Sequence, residues 1–342
     1  MTLTASEPTR LFATNPPNNL IQSIPFSELQ KVYEQQERKG YIIESLIPPD
    51  SVNILAGDSG IGKSPLLYQA ALCVANGLPF LGYATQAGAA LYVDLENGVF
   101  KSSQLNKALV EHLGLPASHS DPMWCHAETD GLRDVMKIHR PAFVIIDSLR
   151  SFAPSAPETN KESAQFINDL RSLAGEYHAA FLVLHHLKKP ADQNGIASHP
   201  ALSEAESVIE WLNQASGGRA LINHSDVRWG IDSMPGKPDL IVMRGYERVH
   251  GELGPIYVTR SCDETGEPLG YDRASGIDLL AKDEDRGLFR RLPDVFPFKE
   301  AVKASGNMHP QKVARKLDHY ISVGLLHPHK PREPYRKVGG SR

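Results

Sequence analysis

Residues 51–64, SVNILAGDSGIGKS, give the clearest indication of how this chain folds. This stretch begins as a β-rich run, stops at a glycine and continues into the pattern Gly-x4-Gly-Lys-Ser, just before a segment with apolar residues at helical spacing. The glycines let successive backbone N–H groups turn toward one point, and the helix N-terminus adds positive charge there. A strand that ends in such a loop and opens a helix is typical of a phosphate-binding loop. We therefore predict a nucleotide site.

The loop also supplies side chains to a nucleotide. Lys63 is expected to neutralise the β- and γ-phosphates of ATP, and the Ser64 hydroxyl is expected to bind Mg²⁺. Pro65 is compatible with a first helical turn, where N–H groups have no helical partner, but it removes one amide that commonly faces the α-phosphate. We expect a weakened α-phosphate contact. The predicted nucleotide-binding residues are Gly57, Asp58, Ser59, Gly60, Ile61, Gly62, Lys63, Ser64 and Pro65.

Further apolar runs predict strands. They are AALYVDLENG (89–98), AFVIIDS (142–148) and AAFLVLHH (179–186). Helix-like segments such as ESAQFINDLRSLAGEYH (162–178), with apolar residues on one face, alternate with them. This alternation indicates an α/β fold with a parallel sheet covered on both faces. Later, DLIVMRGYE and GPIYVTRSC predict an antiparallel hairpin.

Acidic side chains follow two of these predicted strands. Asp147 ends FVIID and is the candidate for the second Mg²⁺ anchor, because an acid at the C-terminal end of a core strand points into the ligand crevice. Asp94 and Glu96 stand two apart in YVDLENG, so both can face the site. Glu96 reaches further and is the candidate to orient the attacking water. For either residue, capping of the next turn is the alternative.

Two histidines end the run LVLHH. Adjacent residues on a strand point to opposite faces, so His185 and His186 do not easily bind one metal. Zinc is not expected, because no cysteine or further histidine stands at ligand spacing. One histidine of the pair can sense the γ-phosphate, and the other is expected to be a satisfied core residue.

Composition favours a soluble, cytoplasmic protein. Hydrophobic residues make up 41% of the 342 residues and charged residues 22%. No apolar run is long enough to predict a membrane span, and the N-terminus lacks the layout of a signal peptide. Three widely separated cysteines do not form a disulfide framework.

The C-terminal tail is basic. From residue 299 onward there are ten Lys and Arg and three Asp and Glu, a net charge of +7. Since the whole chain has a net charge of −4, the rest of the chain carries −11. The tail reads as a short helix, a Ser-Gly-Asn turn, a longer helix and a Leu-Leu strand, which is the outline of a winged helix-turn-helix. Its candidate DNA contacts are Lys312, Arg315 and Lys316, while protein docking is the alternative for this module.

The predicted organisation has four parts. Residues 1–44 form a flexible arm with one helix, 45–262 form the ATPase domain with an insertion at 190–218, 263–295 form a linker, and 296–342 form the winged helix.

Four stretches together resemble the RecA-like ATPases, and most closely the hexameric replicative helicases of plasmids, the RepA family. They are GDSGIGKS, LYVDLENG, FVIIDSLRSF and LVLHHLKK, and a fifth, GGRALINHSDVRWGID (217–232), is similar to that family's Gly-rich segment and its arginine. The resemblance covers roughly residues 45–260. It implies that Glu96 activates water, that Asp147 is the Walker B acid and that His186 is the sensor. It also implies that Arg228 is an arginine finger for a neighbouring subunit, with Arg248 in reserve.

The resemblance implies a hexameric ring that uses ATP and Mg²⁺ and tracks single-stranded DNA, with Lys188, Lys189 and the insertion as candidate contacts. The alternative is a replication initiator or regulator, in which ATP switches assembly and the tail binds duplex DNA. A small-molecule kinase is a third possibility, but residues 190–218 hold none of the arginines that a kinase lid needs.

Overall fold

In the computed structural model, two compact units meet in sequence between Arg273 and Ala274. The described residues are 40–127, 129–188, 199–274, 276–277, 279, 283–323, 325–327 and 333–337. The predicted N-terminal arm therefore lies outside the described residues, apart from its last positions. So do Lys189 and residues 190–198 of the predicted insertion.

A single mixed sheet organises the first unit. Within the described residues it has nine strands in the order β3-β2-β4-β5-β1-β6-β7-β8-β9. The strands are β1 Val52–Gly57, β2 Ala90–Asp94, β3 Met123–Cys125, β4 Phe143–Asp147, β5 Ala180–His186, β6 Val227–Met234, β7 Lys237–Glu247, β8 Gly251–Cys262 and β9 Pro268–Arg273. Pairing is parallel from β3 to β6, which confirms the predicted parallel core. From β6 to β9 it is antiparallel, so the sheet is mixed.

Helices pack on both faces of this sheet. They are α1 Lys63–Asn76, α2 Val99–His112, α3 Thr129–His139, α4 Leu149–Phe152, α5 Asn160–Tyr177, α6 Val208–Leu212 and α7 Arg219–His224, with a 3₁₀ turn at Leu202–Glu204. One core forms where α1 and α2 pack on the sheet, and a second forms on the opposite face with α3, α5, α6 and α7. Such two-sided packing explains why every residue of β1, β2 and β4 is buried and why most of them are apolar.

Helix α1 has glycines at both ends. Gly62 precedes it at φ +95° and Gly77 follows it at φ +63°, and both conformations favour glycine. Among the described residues, no helix is long and apolar enough to cross a membrane.

The predicted linker at 263–295 contains regular structure. Residues 268–273 form β9, whose Tyr271 is fully buried and pairs with Gln69 of α1 through two hydrogen bonds of 2.7 and 2.8 Å. Residues 283–291 form a helix of the C-terminal unit. The sheet thus extends past residue 262. The sequence did not predict this edge strand because a single buried tyrosine does not produce the apolar alternation that indicates a strand.

The C-terminal unit has a small core of its own. It contains α8 Asp283–Arg291, β10 Val295–Phe296, α9 Phe298–Ala304, α10 Pro310–Ser322 and β11 Tyr335–Arg336. Helices α9 and α10 are joined by a short turn, and β10 pairs with β11 in antiparallel fashion. Val313, Leu317 and Tyr320 of α10 are fully buried in this core. The short helix, the turn and the longer helix lie where the sequence predicted them. The predicted Leu-Leu strand is only an isolated bridge between Leu326 and Lys337. A winged-helix function stays a prediction.

Candidate nucleotide site

A cavity of about 380 Å³ opens at the C-terminal end of β1. Its walls come from the loop 57–65, from the turn after β2 with the start of α2, from the ends of β4 and β5, and from the β8–β9 hairpin. Parallel strands have their C-terminal ends at the same edge of the sheet. The last residues of β1, β2, β4 and β5 therefore lie together at this cavity.

The loop at 57–62 has the backbone that its glycines predict. Gly60 and Gly62 adopt φ of +78° and +95°, in the left-handed region. A Cβ at Gly57 would lie 2.5 Å from Cγ2 of Ile231, so β6 leaves room for glycine alone. The loop therefore bends closely over the end of β1, as a phosphate cradle requires.

Lys63 lies inside this loop. Its ammonium donates hydrogen bonds to the carbonyls of Gly57 at 3.1 Å and Asp58 at 2.6 Å. Burial lowers the pKa of Lys63 to about 8, although Asp147, Glu96 and Asp58 raise it. The amine is thus still predominantly cationic at pH 7, and it lines the cavity together with Glu96 and Asp147.

Asp147 has the properties of a cation ligand. It is fully buried, and its Oδ2 accepts a hydrogen bond of 2.8 Å from the Tyr92 hydroxyl. Its Oδ1 is buried and meets no hydrogen-bond donor among the described residues. Burial raises the pKa of this carboxyl to about 6, while Ser64 and Tyr92 lower it. Oδ1 of Asp147, which is buried and meets no donor among the described residues, and the Ser64 hydroxyl in the same cavity fit a cation that prefers oxygen ligands, such as Mg²⁺.

Asp94 caps the turn after β2. Its Oδ1 accepts from the backbone N–H groups of Glu96 at 3.1 Å and Asn97 at 2.8 Å. Its Oδ2 accepts from the hydroxyls of Tyr68 at 2.8 Å and Ser102 at 3.0 Å. Because these donors occupy both oxygens, Asp94 positions the turn and does not face an attacking water. Of the two acids that the sequence left open, only Glu96 lines the cavity.

Glu96 is held by two side chains. The Ser148 hydroxyl donates to its Oε1, and Nε2 of His186 lies 3.5 Å from the same oxygen. The hydrogen bond with His186 is the largest cause that lowers the pKa of Glu96 to about 2, and Ser148 and Lys63 lower it as well. Glu96 is therefore a carboxylate at neutral pH and is suited to orienting a water molecule.

The two histidines have different environments, as their alternation along β5 predicts. His186 lines the cavity, and its Nδ1 lies 3.4 Å from the Ser59 hydroxyl. His185 is buried, with Nε2 2.5 Å from the carbonyl of Ser216. Burial lowers the pKa of His185 to about 4, so it is neutral and donates from Nε2. Of the two histidines, His186 faces the cavity and His185 does not line it.

A family model described as an AAA domain matches residues 20–192 of this chain. The chain belongs to this AAA domain family. Since a phosphate-binding loop of this family implies nucleotide hydrolysis, the protein is a RecA-like AAA ATPase. Among curated proteins, the DNA repair protein RadA of Streptococcus pneumoniae (strain ATCC BAA-255 / R6) is similar, at 22% identity over 88% of this chain and 74% of that protein.

Arg228 of this AAA ATPase lies apart from the cavity. It is only 7% exposed, donates to the Ile222 carbonyl at 2.9 Å, and has its guanidinium 4.9 Å from the centre of the Tyr246 ring. These partners belong to the core on the opposite face of the sheet from α1. A finger for a neighbouring subunit must reach the surface, so this placement argues against that role. The reserve candidate, Arg248, is exposed and donates to the Asn223 carbonyl at 2.8 Å.

The predicted DNA contacts are divided between the two units. In the first, Lys188 is exposed just after β5. In the C-terminal unit Lys312 and Arg315 are exposed on α10, whereas Lys316 is only 11% exposed. Lys316 forms an ion pair with Asp285 of α8, and this contact links α8 and α10.

The sequence analysis did not predict three residues at or beside the cavity of this AAA ATPase: Ser148, Arg260 and Tyr271. Ser148, which orients Glu96, follows Asp147 directly and was visible only as part of a strand end. Arg260 and Tyr271 line the cavity from β8 and β9, the second of them within the supposed linker. A tyrosine in the sequence LGYDR carries no local signal for a site that lies about two hundred residues away.

Proposed function

We propose that this ATPase acts on DNA, and that it works as a ring-forming helicase that moves along single-stranded DNA. The proposal rests on two sets of contacts that His186 makes, one through its ring and one through its backbone. Its ring meets Glu96 and Ser59 in the nucleotide cavity, and its backbone carbonyl accepts the N–H of Ser216 at 2.9 Å. The same residue therefore touches the site of hydrolysis and the segment beyond β5.

The side chains in the cavity support hydrolysis of ATP. Lys63 would turn from the loop carbonyls to the β- and γ-phosphates, and Glu96, fixed by Ser148, would orient water for in-line attack. Ser64 and Asp147 would hold Mg²⁺, which would supply further positive charge at the phosphates. Loss of the γ-phosphate would change the surroundings of His186.

The segment beyond β5 offers a route from this change to DNA. Lys188 donates its N–H to the Gln214 carbonyl at 2.8 Å, and its own carbonyl lies 2.6 Å from Nε2 of His199. Nδ1 of His199 lies 2.6 Å from the side-chain oxygen of Gln214. Residues 186–188 and 214–216 are therefore tied together, so a shift of His186 is transmitted to the exposed Lys188, which precedes the predicted DNA-contacting insertion.

Two resemblances support DNA as the partner. The relative from Streptococcus pneumoniae is named a DNA repair protein. The motifs around Lys63, Glu96, Asp147 and His186 resemble those of plasmid replicative helicases, which supports a ring of subunits.

Steady-state ATP hydrolysis, measured with and without single-stranded DNA, tests this proposal. We expect turnover that DNA stimulates at least several-fold, in a multimer whose mass is measured by light scattering. Lys63→Ala serves as the inactive control. A monomer whose slow turnover ignores DNA would contradict the helicase and leave an ATP-controlled switch.

The C-terminal unit supports a second candidate, an ATP-switched replication initiator or regulator. Arg315 is exposed on the second helix of the helix–turn–helix, where side chains of such modules meet DNA. A footprint of the full chain with ATP on one duplex site, unchanged when Glu96→Gln blocks hydrolysis but preserves ATP binding, would favour this candidate over the helicase.

A further inference from the structure

The β8–β9 hairpin brings an arginine to the nucleotide cavity from the protein's own chain. Arg260 of β8 and Tyr271 of β9 are directly paired across the two strands, and both line the cavity. No role in nucleotide binding follows for either residue from the phosphate-loop motif itself.

Tyr271 anchors this hairpin on the phosphate loop. Its hydroxyl donates a hydrogen bond of 3.1 Å to the carbonyl of Gly62, the residue just before α1. Its backbone N–H and carbonyl bond to the side-chain amide of Gln69, two turns into the same helix. Three contacts thus hold β9, and with it Arg260, beside the first turn of α1.

The Arg260 guanidinium has donors to spare. Its Nη2 lies 3.6 Å from Oδ1 of Asp239, a carboxylate whose side chain is 73% exposed. Its Nε is buried and meets no acceptor among the described residues. The Arg260 side chain is itself only 22% exposed. A long ion pair with an exposed acid is weak, so a phosphate can compete with Asp239 for this guanidinium.

The first turn of α1, which lines the same cavity, lacks one backbone donor. Pro65 lines this cavity in the third position of the helix, where an N–H group would have no helical acceptor and would be available to a ligand. Proline has no N–H, so the loop offers one donor fewer toward the α-phosphate.

We infer that Arg260 donates to the α-phosphate of the bound nucleotide in its own subunit and replaces the N–H that Pro65 removes. This inference rests on nucleotide binding at the phosphate loop. A guanidinium presents several N–H donors in a planar fork that matches phosphate oxygens, so it can take over the task of one amide.

A double-mutant cycle with ADP tests the inference, since ADP keeps the α-phosphate and is not hydrolysed. Calorimetry on the full chain with Mg²⁺ and without DNA compares the wild type with Arg260→Ala, Pro65→Ala and the double variant. We expect Arg260→Ala to weaken ADP binding about 10- to 100-fold, as loss of a charged hydrogen bond does. Pro65→Ala alone should change it less than about threefold, and the double variant should recover most of the loss.

Two controls make a negative result decisive. Arg273→Ala removes an arginine of β9 that packs on Tyr83, and it should bind ADP like the wild type. Arg260→Lys keeps the charge but loses the fork, and it should be intermediate, with an unfolding midpoint that shows whether the hairpin stays folded. Wild-type ADP affinity in Arg260→Ala, or strictly additive effects of the two substitutions, would overturn the inference. Undiminished ADP binding in Lys63→Ala would instead discredit the phosphate loop itself.

Discussion

Nε2 of His186 lies 3.5 Å from Oε1 of Glu96, and its other ring nitrogen lies 3.4 Å from the Ser59 hydroxyl. The histidine therefore bridges the phosphate loop and Glu96, the acid proposed to orient water. Ser148 holds the same carboxylate oxygen from the end of β4. His186 of β5 and Ser148 after β4 thus hold Glu96 in place, which is the preorganisation that the proposed hydrolysis requires.

Glu96→Gln should reduce ATP turnover by about 100-fold or more while ATP binding stays within a few-fold. The amide cannot orient water as a carboxylate does, but the substitution preserves the shape. Single-turnover hydrolysis and a nucleotide-binding titration measure the two effects. Glu111→Gln, on the exposed side of α2, is the matched control. Turnover within threefold of wild type would remove Glu96 from its proposed role.

Asp147→Asn should stabilise the metal-free protein above pH 6. The pKa of Asp147 is raised from 3.8 to about 6, so the folded state binds this proton more tightly than the unfolded state. The stability that the proton contributes is present below pH 3.8 and is lost as pH rises through about 6. It amounts to about 3 kcal/mol, and asparagine does not lose it.

Urea unfolding in a chelator, at several pH values between 4 and 7.5, measures this difference. The gap between variant and wild type should widen up to pH 6 and then stay level. A gap that does not depend on pH would show that the carboxyl is not protonated preferentially in the folded state. With Mg²⁺ and ATP, the variant should lose hydrolysis.

Gly62→Ala should destabilise the protein by about 1–3 kcal/mol and weaken nucleotide binding. The backbone at Gly62 has φ +95°, and a Cβ there would lie 2.5 Å from the Tyr271 hydroxyl. Removing that hydroxyl with Tyr271→Phe relieves part of the clash. The cost of the double variant should therefore be smaller than the sum of the two single costs, as measured by urea unfolding. Full additivity would mean that the two residues are not in contact.

Arg228→Ala separates a structural role from that of an arginine finger. The buried guanidinium stacks on Tyr246 and bonds to a backbone carbonyl, so we expect a loss of about 1–3 kcal/mol in unfolding free energy. Turnover per folded molecule should stay within about threefold at low temperature. A stable variant that binds ATP and scarcely hydrolyses it would instead establish Arg228 as the finger.

In the C-terminal unit, alanine substitution of two adjacent basic residues of α10 should have different effects, one on stability and the other on DNA binding. Lys316→Ala leaves Asp285 buried without its partner and should cost about 3 kcal/mol. Arg315→Ala, at an exposed position, should leave stability unchanged and weaken duplex DNA binding, with a shallower salt dependence. Unfolding curves and DNA titrations at several salt concentrations on the full chain measure both. Equal DNA affinity for Arg315→Ala and wild type would exclude this face of α10 as a DNA contact.

Local patterns in the sequence are enough to predict part of this structure. The loop before α1, the buried strands β1, β4 and β5, and the polar residues at their ends are visible because motif spacing and apolar runs are properties of short segments. Parallel strands then end at one edge, so Lys63, Asp147 and His186 were expected in one crevice before their distances were known.

Which further side chains complete the site depends on contacts between segments that are distant in sequence. Asp94 became a turn cap because four residues nearby in space donate to it, which left Glu96 to face the cavity. The Arg228 side chain packs against residues of the core on the face of the sheet opposite α1. Tyr271 reached Gly62 across 209 positions of sequence, and Arg260 came with it. Such contacts depend on how strands pair and which face each residue takes, and no local pattern encodes partners that far apart.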